Sequence, residues 1–374
     1  MLDVIFDPNN YPFWIIVSSI IIGTFAAIMR PFSTYVAFVY PNAKFEAIGN
    51  PFITEKELNR IIDSKNISDF KETLNSSKDY NISGENVYEI QKSLDDNFIE
   101  TIGMMKKDSS NKMKDFYEIY TKKLDIYLIK NAVKQNINDK KINENIINQA
   151  ILPGTKDALK GIIDSEKQNL PNILKNYGFE KEITDIITEE KIDYMRFDTT
   201  IDKHIIELIK RVKVPYNCDK AKQRFVNHLI DLINVKNVLR AKQIGYDTES
   251  IKKLTLGEGQ EIAPWKLKEI TEVETVPQVI SSLEGTSYYD ALKNAIEDYD
   301  KEKSVQILEN ALDSHLLKIV SDISTQNFVT IGPTFRFIIS KEFEIKNLKI
   351  IIKGIGEEIT SDIIKPLLIR EASI

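Results

Sequence analysis

The chain has 374 residues, a formal net charge of −6, 42% hydrophobic residues and a single cysteine. That length suits two or three ordinary domains, and the composition is that of a folding chain, not a disordered one. Mild acidity argues against a nucleic-acid partner and leaves room only for a local basic patch. One cysteine, Cys218, makes neither an intrachain disulfide nor a thiolate metal site.

The first element is a run without charge, Phe13 to Met29, ending at Arg30-Pro31. At ~1.5 Å per residue it makes a helix of ~26 Å, close to the ~30 Å hydrocarbon core of a bilayer. Tyr11 and Trp14 suit a membrane interface. A secretory signal fits poorly, because Asp3 and Asp7 stand where positive charge belongs. A buried core helix, or a hydrophobic hairpin with 32–40, is the second reading. The expectation is a single membrane anchor. The cations that follow it place the rest of the chain on the cytoplasmic face.

After residue 40 the chain repeats itself. Ile129-Lys130-Asn131, Val235-Lys236-Asn237 and Ile345-Lys346-Asn347 are three copies of one phrase, their lysines 106 and 110 residues apart. A second phrase keeps the same period. It opens at Leu94-Asp95, Ile201-Asp202 and Leu312-Asp313, with the aspartates 107 and 111 apart. A third stretch precedes each pair, at 50–74, 153–179 and 263–288, and reads as two short amphipathic helices. Thr54 with Glu57 is a capping-box start.

Each unit is therefore two short helices and then two long ones. Phe225, Leu229, Leu232, Val235 and Leu239 form one face of the last helix of the second unit. Phe116, Tyr120, Tyr127 and Val133 serve the first unit, and Phe335, Ile339, Phe343 and Leu348 the third. Turns between the long helices fall at 108–111, 214–217 and 330–333. Common helical repeats span about 33–47 residues, so units of this size are too long for them. Few, large, similar units favour closure. The expected fold is all-α: three similar helical-bundle repeats in a pseudo-three-fold funnel, with an N-terminal hydrophobic helix. The segments are 1–40, 41–149, 150–253 and 254–374.

No catalytic pattern stands out. There is no phosphate-binding loop; Gly257-Glu258-Gly259 and Gly354-Ile355-Gly356 follow no strand. His204 and His315 occupy nearly the same repeat position, and His228 has no metal-ligand spacing to either. Cys218 reads as a buried bystander. Trp265 and 196–198 break the three-fold pattern and have packing explanations. Asp95, Asp202, Asp313, Lys130, Asn131, Lys236, Asn237, Lys346 and Asn347 are the structural candidates at the repeat junctions. Each lysine is within reach of the aspartate of its own unit on the antiparallel helix, and each asparagine can tie its helix to a neighbour. The other reading is that one edge of each long helix lines an opening and meets a partner.

The three-fold unit, the aliphatic-Lys-Asn phrase and the closing FEIKNLKIIIKGIGEEITSDIIKPLLI resemble the C subunit of the archaeal A-type ATP synthase, the counterpart of the d subunit in V-type ATPases. The resemblance covers 41–374; the apolar run departs from compact soluble members and looks like an extended form. It implies a non-catalytic socket at the foot of the rotating central stalk. Its partners would be the D and F stalk subunits on one side and the membrane ring of ion-carrying subunits on the other, with lipid around 13–29. It implies no cofactor, no nucleic acid and no small-molecule substrate. A membrane-anchored helical scaffold unrelated to ATPases is the alternative, and a helical enzyme with a site at a repeat junction is a third.

Overall fold

The computed structural model describes residues 7–49, 53–77 and 79–370. Among them are eighteen α-helices and no strand. Helix α1 is Tyr11–Ile48. The first unit holds α2 (Glu55–Ile62), α3 (Ile67–Asn75), α4 (Val87–Asp108) and α5 (Lys114–Ile137). The second holds α6 (Ile146–Gln149), α7 (Pro153–Asp164), α8 (Leu170–Asn176), α9 (Lys181–Ile186), α10 (Tyr194–Arg211) and α11 (Asp219–Gln243). The third holds α12 (Thr248–Lys252), α13 (Pro264–Glu272), α14 (Val276–Ser282), α15 (Ser287–Glu302), α16 (Val305–Gln326), α17 (Gly332–Gly356) and α18 (Ser361–Ile364).

Local chemistry sets many of these boundaries. Thr54 and Glu57 form the capping box expected of α2, and Thr275 with Gln278 forms another at α14. Asn86 caps α4 and Asp193 caps α10 through the third helical N–H. The second and third units depart from two short helices before two long ones, with four shorter helices each (α6 to α9 and α12 to α15); α15 packs on α16.

The six long helices pack in a circuit. Helix α4 lies on α5, α5 on α10, α10 on α11, α11 on α16, α16 on α17, and α17 returns to α4. Side-chain register fixes their directions. Lys130 meets Asp202 while Lys134 meets Asp198, so α5 and α10 run antiparallel. Lys236 with Asp313 and Arg240 with Glu309 give the same answer for α11 and α16. Every neighbour being antiparallel, the three connecting loops, 109–113, 212–218 and 327–331, lie at one end of the circuit.

Helix α1 corrects one sequence reading. The hairpin with 32–40 is not formed; the helix continues through Pro31 and Pro41 to Ile48. Each proline removes one i→i−4 hydrogen bond. The C-terminal third is held by a single face, Thr34, Phe38, Pro41, Asn42 and Phe45, packed against α17 and α4. Phe45 stacks on Phe337 with ring centroids 4.5 Å apart. No residue from Tyr11 to Phe32 is buried; Phe13 and Val17 are half-exposed, and Trp14 and Met29 are open to solvent.

Candidate functional site

A cavity of about 740 Å3 lies inside the circuit and is lined from all six long helices. Its walls mix isoleucine and leucine with Phe98, Tyr127 and Phe343 and with charged residues, among them Asp95, Asp202, Asp313, Lys236 and Lys346. The lining comes from residues 91–99 of α4 and 339–353 of α17, short of the loops at 109–113 and 327–331. Toward the loops the interior is filled. Phe116, Phe225 and Phe335, one from each unit and near the start of its helix, are all fully buried. Phe225 stacks on Phe335 at 4.4 Å and 9°, and Phe116 lies 5.6 Å from Phe335. Tyr127, expected on the core face, is 45% exposed and faces the cavity instead.

Three ion pairs at matching places join unit to unit around this cavity, beside the further inter-unit pairs Lys134–Asp198, Arg240–Glu309 and Lys123–Glu342. Lys130 Nζ donates to Asp202 Oδ1 at 2.5 Å, and Lys236 Nζ to Asp313 Oδ1 at 2.5 Å. Lys349 donates to Asp95, which closes the third unit on the first. The pairing differs from the sequence reading, which kept each lysine in its own unit. Only Lys346 does so, reaching Asp313 Oδ2 at 3.2 Å. The cause is geometric: the last helix of each unit runs antiparallel to the first long helix of the next, which sets its lysine level with that unit's aspartate. Burial pushes the Lys236 ammonium below its ordinary range, against the pull of Asp313, and pushes the Asp95 carboxyl up.

The asparagines do not act alike. Asn237 is buried and donates to Thr199 Oγ1 and the Leu254 carbonyl. Asn347 is buried and exchanges two hydrogen bonds with Ile369, fastening the C-terminal segment. Asn131 is exposed.

A second cyclic set escaped the sequence reading. Asp125 of α5 accepts the N–H groups of Ile151 and Leu152, at the start of the second unit's short helices. Asp231 of α11 accepts from Gln260, Glu261 and Ile262, at the start of the third unit's. Glu344 of α17 accepts the N–H of Ile53, back at the first unit. Asp125 and Asp231 stand at the same spacing as Lys130 and Lys236, so a signal was present. The third copy hides it, because Lys341 occupies the matching position and the carboxylate moves one turn on. Burial pushes Asp231 up to about 6, opposed by its backbone N–H donors, and Glu344 up to about 7.

The histidines sit apart from the cavity. His228 Nδ1 is 2.8 Å from Tyr288 Oη, and His315 Nε2 is 2.7 Å from Ser287 Oγ, which donates to Glu261 at 2.8 Å. Burial holds all three imidazoles below their ordinary range, His228 at about 4. Cys218 is buried, its thiol pushed up to about 11 by desolvation. Among the described residues no cluster of His, Cys, Asp or Glu is placed to hold a metal.

These features define an all-α protein of three helical hairpins closed into a circuit by ion pairs, with one long apolar helix leaving it. The chain belongs to the ATP synthase (C/AC39) subunit family, whose model matches residues 41–367. It is 28% identical to the C subunit of the A-type ATP synthase of Methanobrevibacter smithii, over 91% of this chain and 90% of that one. It is 29% identical to that of Methanocaldococcus jannaschii, over 89% and 86%. The match to the Methanosphaera stadtmanae protein is 26% identical over 97% of this chain and 96% of that one. So full a match leaves too few residues outside it to omit α1.

Proposed function

We propose that this chain is the non-catalytic rotor socket of an A-type ATP synthase. It joins the central stalk, made of the D and F subunits, to the membrane ring of ion-carrying subunits, and passes torque between ATP chemistry and proton or sodium transport. It works at the cytoplasmic face of the membrane, with α1 as its anchor. The observation that carries the reading is the closed circuit. A part that transmits torque must not unwind, and a helix circuit without a free edge shares load applied at one helix with both neighbours. Lys130–Asp202, Lys236–Asp313 and Lys349–Asp95 supply the directional contacts between units that apolar packing lacks. The names of the relatives, all C subunits of A-type ATP synthases, support the same assignment. In this reading the six junction Asp and Lys residues, with Lys349, are structural, and the cavity is a seat for a stalk segment.

The test is a pull-down of a tagged copy from gently solubilised membranes, with bound chains identified by mass. Joint recovery of ion-carrying ring and stalk subunits is the expected result. Recovery of the chain alone, or with unrelated membrane proteins, would replace the socket with an anchored scaffold.

A further inference from the structure

We infer that the loop end of the circuit is a lipid-facing footing, built to rest on anionic headgroups of the bilayer that α1 enters. The inference rests on the anchored reading above and adds which end meets the membrane and by what chemistry.

Three observations carry it. First, α1 meets the loop end as it leaves, at the third loop, at the end of α4 and beside the second loop. Asn42 Nδ2 donates to the Phe328 and Thr330 carbonyls at 2.8 and 2.9 Å. Lys44 Nζ reaches Asp108 at 2.5 Å, and the Arg30 guanidinium lies 6.0 Å from the Tyr216 ring centroid. Beyond this contact the helix is apolar on every side. Ile15, Ile20, Ile22, Phe25 and Ile28 are each more than 60% exposed. A protein groove would leave a polar face toward water, whereas a surround of lipid asks for none. Ser19 Oγ donates to the Ile15 carbonyl within the helix, so it needs no outside partner.

Second, the loops are basic although the chain is acidic. Lys107, Lys112 and Lys114 are exposed at the first loop, and Arg211, Lys213 and Lys220 at the second, against exposed Asp115, Glu118, Asp219 and Asp322 at the same end. Clustered cations beside a membrane helix attract anionic headgroups, each worth about 1 kcal/mol near the surface. The opposite end carries exposed Glu85, Glu89, Glu189, Glu190, Glu357 and Glu358 together with exposed Lys140, Lys141, Lys191, Lys303 and Lys353. Both signs occur at both ends, and the basic excess lies at the loop end, where α1 leaves. Third, the remaining loop is apolar and exposed. Phe328 and Val329 are 52% and 54% open, and Tyr216 joins them at 49%. Aromatic and basic side chains together suit the headgroup layer.

The test uses the full chain in vesicles. A fluorophore is placed through Val329→Cys, and separately through Ile244→Cys at the far end of α11, in a Cys218→Ser background. Headgroup-labelled nitroxide lipid is the quencher. A Trp265→Phe change leaves Trp14 as the only tryptophan, read with brominated acyl chains. The expected result is quenching several-fold stronger at position 329 than at 244. It should strengthen when phosphatidylglycerol is added, and lose that gain in the variant Lys112→Glu with Lys213→Glu. Stronger quenching at 244 would put the other end on the membrane. Quenching of Trp14 without quenching at 329 would overturn the footing and spare the anchor. Absence of both would overturn the anchor itself. Position 329 silent in vesicles, with the charge-reversed variant losing ring subunits in the pull-down, would mean the cations meet protein instead of lipid.

Discussion

Asp313 is the junction aspartate that receives two ammonium groups, Lys236 from the second unit and Lys346 from its own, and it is 3% exposed. A charge buried this way is costly to strand: removing one partner of a buried pair typically destabilises by about 3–5 kcal/mol. Asp313→Ala is therefore expected to lower unfolding stability by that order, and Lys346→Ala by less, since the Lys346 side chain is 43% exposed and Lys236 remains. A double-mutant cycle on Lys236 and Asp313 should give a coupling on the order of 1–3 kcal/mol, and one on Lys236 and Asp202 close to none. Denaturant titration of the four proteins in each cycle checks both. The histidines make a second statement at this scale. His228 is neutral against Tyr288, with Glu261, Arg224, His315 and Asp231 around it, and its folded value near 4 lies below the unfolded one near 6.5. The unfolded chain takes up the proton between those values and the folded chain does not, so this group withdraws stability as pH falls from about 6.5 toward 4. Asp231, raised to about 6, acts in the opposite sense over much of the same window. His228→Gln should therefore flatten the acid loss by about 2–3 kcal/mol relative to wild type, read as stability at pH 7 minus stability at pH 4.

At the scale of elements, the joints between units depend on close backbone approach. Gly259 lies where a β-carbon would fall 1.9 Å from Asp231 Oδ1 and 2.8 Å from the Asn227 carbonyl. A side chain there must push Asp231 away from the three N–H groups it serves. Gly259→Ala is expected to cost about 1–3 kcal/mol, with hydrogen exchange rising first at 260–262. The elements themselves were largely legible. Phe225, Leu229, Leu232, Val235 and Leu239 recur at helical spacing because α11 must bury that face, and all five are buried. Thr54 with Glu57 announced α2. The continuity of α1 was not legible. Proline inside a helical pattern ordinarily marks a boundary; the packing of Phe38 and Phe45 on the body, a tertiary effect, holds the helix across Pro41, whereas Pro31 lies in the exposed stretch. The partners of the lysines were also hidden. Spacing within a unit gives reach along one hairpin but says nothing about how neighbouring hairpins are set in height, and that height decided which aspartate each lysine meets.

At the scale of the molecule, α1 divides into a part that belongs to the body and a part that does not. None of the described residues before Thr34 is buried, whereas Phe38 and Phe45 are 1% and 0% exposed and sit against the same core as α17. Two truncations separate the consequences. Removing residues 1–30 takes away the apolar stretch and leaves every buried contact of the circuit. Its midpoint of unfolding in detergent should match the full chain, while flotation with vesicles should drop sharply. Removing residues 1–49 also strips Phe38, Phe45, Asn42 and Lys44 from the faces and loops they hold. Loss of a fully buried phenylalanine alone costs about 3–5 kcal/mol, so this shorter chain should unfold well before the other two. Its loops should exchange amide hydrogens faster at 327–331, where Asn42 fastens two carbonyls. If the first truncation lost as much stability as the second, the exposed stretch would be packing on the body in solution, and the division of α1 into anchor and strut would be wrong.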